Sequence, residues 1–273
     1  MKKLLTGVAA VAATLIAVPA GAANAQESAE VMLLHGIPGV PVDVAVDGDV
    51  LLPDFQPGTM QDLSPFAGQS LANLEVRLAG TDTVAIGPVE SFDVPASGNW
   101  TVVAHLDAEG NPTVTPFEND TSAVGDGEGR LTIRHAAAAP AVDVVLGDVR
   151  PVENASNGDE AVLTLPAGEI AGAQIAPTGG DPIADVPTVN LAAGTNLAVY
   201  AVGSLADETF TFYTQEVALA GGAGDGDGTP MPTVVNTGDE AATSGSLALA
   251  AAAAGLFSLA GGALVLRRRT VDA

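Results

Sequence analysis

Val31-Met-Leu-Leu-His35-Gly-Ile-Pro38-Gly-Val-Pro41-Val-Asp43-Val-Ala-Val-Asp-Gly48 is the stretch that decides the fold, because the chain contains it twice. Its echo is Leu131-Thr-Ile-Arg-His135-Ala-Ala-Ala-Ala-Pro140-Ala-Val-Asp143-Val-Val-Leu-Gly-Asp148. Both read as an apolar strand, a histidine, a turn of small residues and proline, and a Val-Asp-Val strand. In each, the aspartate follows the histidine by eight positions. Such a repeat makes the chain a duplication of one structural unit.

Outward from the motif, short segments that are β-branched or alternate apolar with polar recur at regular spacing. In the first copy they are Val31–His35, Val42–Val46, Leu74–Leu78, Val89–Val94, Trp100–Leu106 and Thr113–Phe117. In the second they are Leu131–His135, Val142–Leu146, Ala161–Leu165, Glu169–Ile175, Val186–Leu191, Leu197–Val202 and Glu208–Thr214. The copies also share Asn-Trp-Thr-Val-Val-Ala104 with Asn-Leu-Ala-Val-Tyr-Ala201, and Gly80-Thr-Asp82 with Gly179-Gly-Asp181. No helical periodicity separates the strands, which argues against a parallel α/β fold. The expectation is all-β: two tandem immunoglobulin-like, Greek-key β-sandwich domains at residues 30–119 and 129–219. The short break between them leaves room for tight packing or a shared sheet.

Composition sets the limits. The chain has 273 residues, 47% hydrophobic but only 4% aromatic, and no cysteine. Disulfides and thiolate metal sites are thereby excluded. From Gln26 to Thr243 there are 32 acidic residues against four arginines (Arg77, Arg130, Arg134, Arg150) and no lysine, a net charge near −28. Such a surface repels nucleic acid and anionic lipid and keeps an Ala/Val/Gly-rich protein soluble.

The two ends read as addresses. Met1-Lys-Lys, an apolar run from Leu4 to Val18 and Ala23-Asn-Ala25 make residues 1–25 a secretory signal peptide cleaved after Ala25. At the other end, Leu247 to Leu266 is an uncharged run of 20 residues followed by Arg267-Arg-Arg269. Its length suits a membrane-crossing helix with a basic stop, at residues 244–269, with everything before it outside the cell. Residues 220–243, rich in Gly, Asp, Thr and Pro, read as an acidic linker. Within it, Asp225 and Asp227 alternate with glycine, but too briefly for a calcium loop.

Val234-Val-Asn-Thr237-Gly238 precedes the apolar run. A Thr-Gly pair, a spacer, an apolar span and a basic tail resemble the sorting signal of Gram-positive, here actinobacterial, surface proteins. The resemblance implies that a sortase cleaves between Thr237 and Gly238 and joins Thr237 to peptidoglycan. Val234 and Val235 stand where that signal has Leu and Pro, so the competing version is an anchor that remains in the membrane.

The strand–His–turn–Val-Asp-Val motif itself resembles the domain of unknown function 4397 family, extracellular bacterial and archaeal β-domains. His135-Ala-Ala-Ala-Ala-Pro140-Ala-Val-Asp143 fits its opening, and His35-Gly-Ile-Pro38-Gly-Val-Pro41-Val-Asp43 fits with small residues replaced. The resemblance covers most of residues 31–214 and implies a fold and a location, but no activity.

His35, Asp43, His135 and Asp143 are the candidate site residues. One reading makes them a base with its orienter, or metal ligands. The other makes the histidine a cap on the turn and the aspartate a clasp on loop backbone. The duplication favours the second, because no third ligand or nucleophile recurs beside either pair. His105, matched in the second copy by Val202, reads as a surface or partly buried side chain. Trp100, matched by Leu197, reads as core. There is no Gly-x-Ser-x-Gly and no cysteine nucleophile. The sequence reading is therefore a non-enzymatic, C-terminally anchored cell-surface protein without cofactor or metal, acting as a structural, adhesive or ligand-binding module. Its partners would be sortase and peptidoglycan, the membrane through the C-terminal helix, and an extracellular ligand the sequence does not name. The alternatives are a surface hydrolase using acidic residues and a cation-binding module.

Overall fold

The computed structural model describes residues 28–221, and the backbone of 233–235 and 265–267. The expected signal peptide with Ala25, Thr237 and Gly238, and residues 244–264 lie outside the described residues. What is described is all-β, apart from one short 3-10 turn at Ser64–Phe66. Among the described residues no helix is long and apolar enough to cross a membrane.

The first half contains β1 (Glu30–His35), β2 (Val42–Val46), β3 (Asp49–Phe55), β4 (Met60–Asp62), β5 (Ser70–Leu78), β6 (Val84–Asp93), β7 (Asn99–Leu106) and β8 (Pro112–Glu118). They form two sheets, ordered β4-β1-β7-β8 and β3-β2-β5-β6. Val31 and Leu33 of β1 and Val102 of β7 face Val42, Val44, Phe55, Leu71, Leu74 and Val76 from the other sheet, so the halves of this sandwich-like unit close on one core. The second half repeats the plan with β9 (Glu128–Ala138), β10 (Val142–Leu146), β11 (Val149–Ala155), β12 (Glu160–Pro166), β13 (Gly168–Ile170), β14 (Ala173–Pro177), β15 (Ala184–Asp185), β16 (Val189–Leu191), β17 (Thr195–Ser204) and β18 (Thr211–Ala218). Its sheets run β18-β17-β9-β12 and β11-β10-β14-β15, with β13 and β16 as a separate two-stranded ribbon.

The correspondence extends to register. β1 lies parallel to β7 with His35 opposite Ala104, and β9 lies parallel to β17 with His135 opposite Ala201. Beyond residue 221, β19 (Thr233–Val235) pairs with β18 and β20 (Val265–Arg267) with β12. The sequence places 265–267 at the end of the apolar span; here that backbone is extended and satisfies the open edge of β12.

A third core joins the halves. Leu34, Val103 and Phe117 from the first pack against Ala136, Ala198, Tyr200, Val202 and Tyr213 from the second. Sheet β4-β1-β7-β8 therefore lies on sheet β18-β17-β9-β12, making a stack of four layers. Along β17, Leu197, Val199 and Ala201 point into the second half's core while Ala198, Tyr200 and Val202 point into the joint. This two-sided burial is why Leu-Ala-Val-Tyr-Ala-Val reads as a continuous apolar run rather than an alternation.

The expected segments omit β3 and β11, and also the short β4 and β15. β3 and β11 follow tight hairpins at Asp47-Gly48 and Gly147-Asp148, with Val46 opposite Asp49 and Leu146 opposite Val149. Asp47 and Gly48 both have positive φ, the backbone a two-residue hairpin of this twist demands. β3 is mostly exposed and contains Pro53, so it lacks the apolar signature of a strand. The expected segment Glu169–Ile175 divides in two, as β13 and β14, and Val186–Leu191 is a strand only over Val189–Leu191. Gly172, at positive φ, breaks the first, and Pro187, which has no N–H for a ladder, delays the start of the second to Val189.

Candidate functional site

The duplicated motif is built the same way in both halves. His35 is fully buried at the end of β1. Its Nδ1 accepts from the Ile37 N–H at 3.3 Å and its Nε2 donates to the Val40 carbonyl at 2.8 Å. His135 does the same with the Ala137 N–H at 3.4 Å and the Pro140 carbonyl at 3.2 Å. Each ring thus spans the turn that follows it, and these partners place the proton on Nε2. The histidine backbones are used identically as well. His35 N–H bonds the Thr59 carbonyl and its carbonyl accepts from Gly58; His135 N–H bonds the Asp159 carbonyl and its carbonyl accepts from Gly158. Burial lowers the pKa of both rings, partly opposed by the Val40 and Pro140 carbonyls.

The aspartates serve different loops. Asp43 accepts from the Asp54 N–H at 2.7 Å and the Gly80 N–H at 2.9 Å. Asp143 accepts from the Asn154 N–H at 2.8 Å, the Gly179 N–H at 2.9 Å and Arg150 Nη1 at 2.7 Å. Asp54 and Asn154 sit at positive φ where β3 and β11 bulge against β2 and β10. The carboxylate stabilises this left-handed residue by taking its N–H, and ties it to the turn after β5 or β14. The Asp54 and Gly80 N–H groups hold the Asp43 carboxyl below the usual range. Burial pushes Asp143 up, but the Gly179 and Asn154 N–H groups and the Arg150 guanidinium outweigh it.

Histidine and aspartate of one copy therefore bond separate loops and do not form a base–orienter pair. Neither histidine keeps a free lone pair for a metal, and both carboxylates are occupied by N–H donors. Among the described residues no three His, Asp or Glu side chains gather as a metal cluster.

The residues that sequence reasoning missed lie at the joint. Arg134, inside the motif itself, is fully buried. It binds Glu160 through Nε at 3.1 Å, the Tyr200 hydroxyl through Nη1 at 2.7 Å and the Glu118 carbonyl through Nη2 at 3.2 Å. Its guanidinium also stacks between the Phe117 and Tyr200 rings, 4.8 and 5.3 Å from their centres. Tyr200 passes the network to Gln215, which accepts from Thr101 of the first half at 2.8 Å. Asn157 crosses the joint too, donating to the Leu106 and Ala137 carbonyls. The signal was available: Arg134 is a charge in an apolar strand of a chain nearly without cations, and its counterpart is Leu34.

His105 corrects an expectation. It is fully buried, neither at the surface nor partly buried, and is bonded to the Leu106 carbonyl and Thr115 hydroxyl, each at 2.8 Å. β7 is covered on both faces, so its end has no solvent side. Burial lowers the pKa of His105, and the neighbouring His135 lowers it further. Trp100 is half-buried against the first core and donates to the Ser97 carbonyl. All four arginines of residues 26–243 are ion-paired within the fold, with Glu75, Asp120, Glu160 and Asp143.

With both copies of the motif in view, one comparison bears on it. Residues 29–145 match the family model of the domain of unknown function DUF4397. The DUF4397 match starts just before β1, takes in the first half and ends inside β10, so it contains His35, Asp43, His135 and Asp143. No curated protein matches the chain.

Proposed function

We propose that the chain is a non-enzymatic, secreted cell-surface protein, held at its C-terminus to wall or membrane and displaying two tandem immunoglobulin-like sandwiches as a structural, adhesive or ligand-binding body. The carrying observation is that the recurring polar groups are consumed by the fold. Both histidines cap turns and both aspartates clasp loops, twice over, which leaves no free base, nucleophile or ligand set at the motif. The repeated parallel pairing of first and penultimate strands supports the tandem-sandwich description. The internal pairing of all four arginines of residues 26–243 leaves the acidic residues to dominate the outside of that body, which suits a soluble displayed body and disfavours nucleic acid.

Deleting residues 244–269 in the native host tests this. The truncated protein should appear in the medium with Gln26 as its first residue. Retention in the cytosol with Met1 still present would overturn the reading.

A further inference from the structure

The second half contains an apolar cavity of about 120 Å³, where the first half has one of about 40 Å³. The registers show why. Val42 of β2 lies opposite Phe55, while Val142 of β10 lies opposite Ala155. One position thus carries a benzyl group in the first half and a methyl in the second. Phe92 also lines the smaller cavity, and Phe66 and Trp100 pack on the same core. In the second half Phe212 is the aromatic residue in the wall.

The larger cavity is open to one side. Ile170 and Val189, paired across the β13–β16 ribbon, line it and are half-buried, as are Leu163, Leu165 and Val186. Its chemistry is one-sided. Arg134 and His135 reach the wall, but their nitrogens are committed to Glu160, Tyr200, Glu118, Ala137 and Pro140. A ligand inside meets aliphatic side chains and the Phe212 ring, and almost no polar surface. A closed apolar cavity of about 150 Å³ stays dry and accepts benzene or xenon.

We propose that this cavity is a binding site for a compact apolar ligand: one six-membered ring, or an alkyl segment of about four to six carbons by the same comparison of volumes. The group is either a free small hydrocarbon or the end of an acyl chain entering past Ile170 and Val189. The inference does not depend on where the protein is displayed.

Methyl NMR of the mature chain with benzene, and separately with octanoate, tests it. Benzene should shift the methyls of Leu163, Val186 and Val199 and leave those of Leu33 and Val102 in place. A matching octanoate response would assign the site to acyl chains; a response to benzene alone would assign it to free hydrocarbons. Ala155→Phe should abolish the shifts and raise the melting temperature, and Phe55→Ala should open a second site among the first half's methyls. Unperturbed Leu163, Val186 and Val199 methyls in the unaltered protein would overturn the proposal, whatever the variants do. So would an equal response in a folded Ala155→Phe variant.

Discussion

Phe55→Ala converts the first core into a likeness of the second, and its cost can be worked from the two cavities. Phe55 is 4% exposed and its ring lies 5.4 Å from that of His35. Losing the buried ring removes about 2 kcal/mol of transfer free energy. If the first half then relaxes as far as the second has, its void grows from about 40 to about 120 Å³. At roughly 24 cal/mol per Å³, that growth adds about 2 kcal/mol. The sum, about 4 kcal/mol, falls within the usual range for Phe→Ala in a core. For a fold of this size it corresponds to a fall in melting temperature of about 8–16 °C. Differential scanning calorimetry with urea denaturation gives both quantities. The calorimetric trace carries a second result. Because the halves share the core around Tyr200, they should melt in one transition that moves as a whole. A loss below about 1 kcal/mol would refute the packing argument, on the scale set for such substitutions. Splitting into one shifted and one unshifted transition would refute the shared core.

Two further predictions concern buried charge. Arg134→Met leaves Glu160 without its cation and Tyr200 without its donor, and should cost about 3–5 kcal/mol in urea denaturation; a change within about 0.5 kcal/mol would place the arginine outside the stabilising network. His35, His105 and His135 all have lowered pKa values in the fold. The unfolded chain therefore takes up protons first as pH falls. Stability should be level between about pH 7.5 and pH 8, and decline below about pH 6.5 by up to about 1.4 kcal/mol per pH unit for each histidine until the folded-state values are passed. The lowered carboxyls of Asp43 and Asp143 add a further loss below their ordinary pKa near 3.8. Urea midpoints from pH 8 to pH 3 measure both limbs, and a midpoint that rises between pH 7 and pH 5 would contradict the assignment of neutral buried histidines.

Much of the fold was legible because the chain states it twice. Val42–Val46 and Val142–Leu146 are strands over the ranges read from sequence. β3 and β11 were not read, although Asp47-Gly48 is a strong hairpin signal. Their exposed Asp, Glu and Pro residues hid the alternation that marks a half-buried strand. The joint was harder still. A strand such as β17, apolar on both faces, announces two-sided burial but not what covers the second face. Arg134 and His105 make sense only once the other half is laid against them. At the motif, the turn-spanning histidines and clasping aspartates follow from residue type and spacing. The cavity does not, because it comes from a difference, Phe55 against Ala155, between positions on strands the sequence reading had missed.

The central functional claim is display outside the cell through the C-terminus. Its most direct test is mass spectrometry of C-terminal peptides from the native host, comparing muramidase-digested wall with the membrane fraction. The account predicts a peptide ending at Thr237 and joined to wall fragments. An intact peptide running through Arg269 in the membrane fraction would contradict attachment to the wall, and its recovery from the cytosol would contradict display itself.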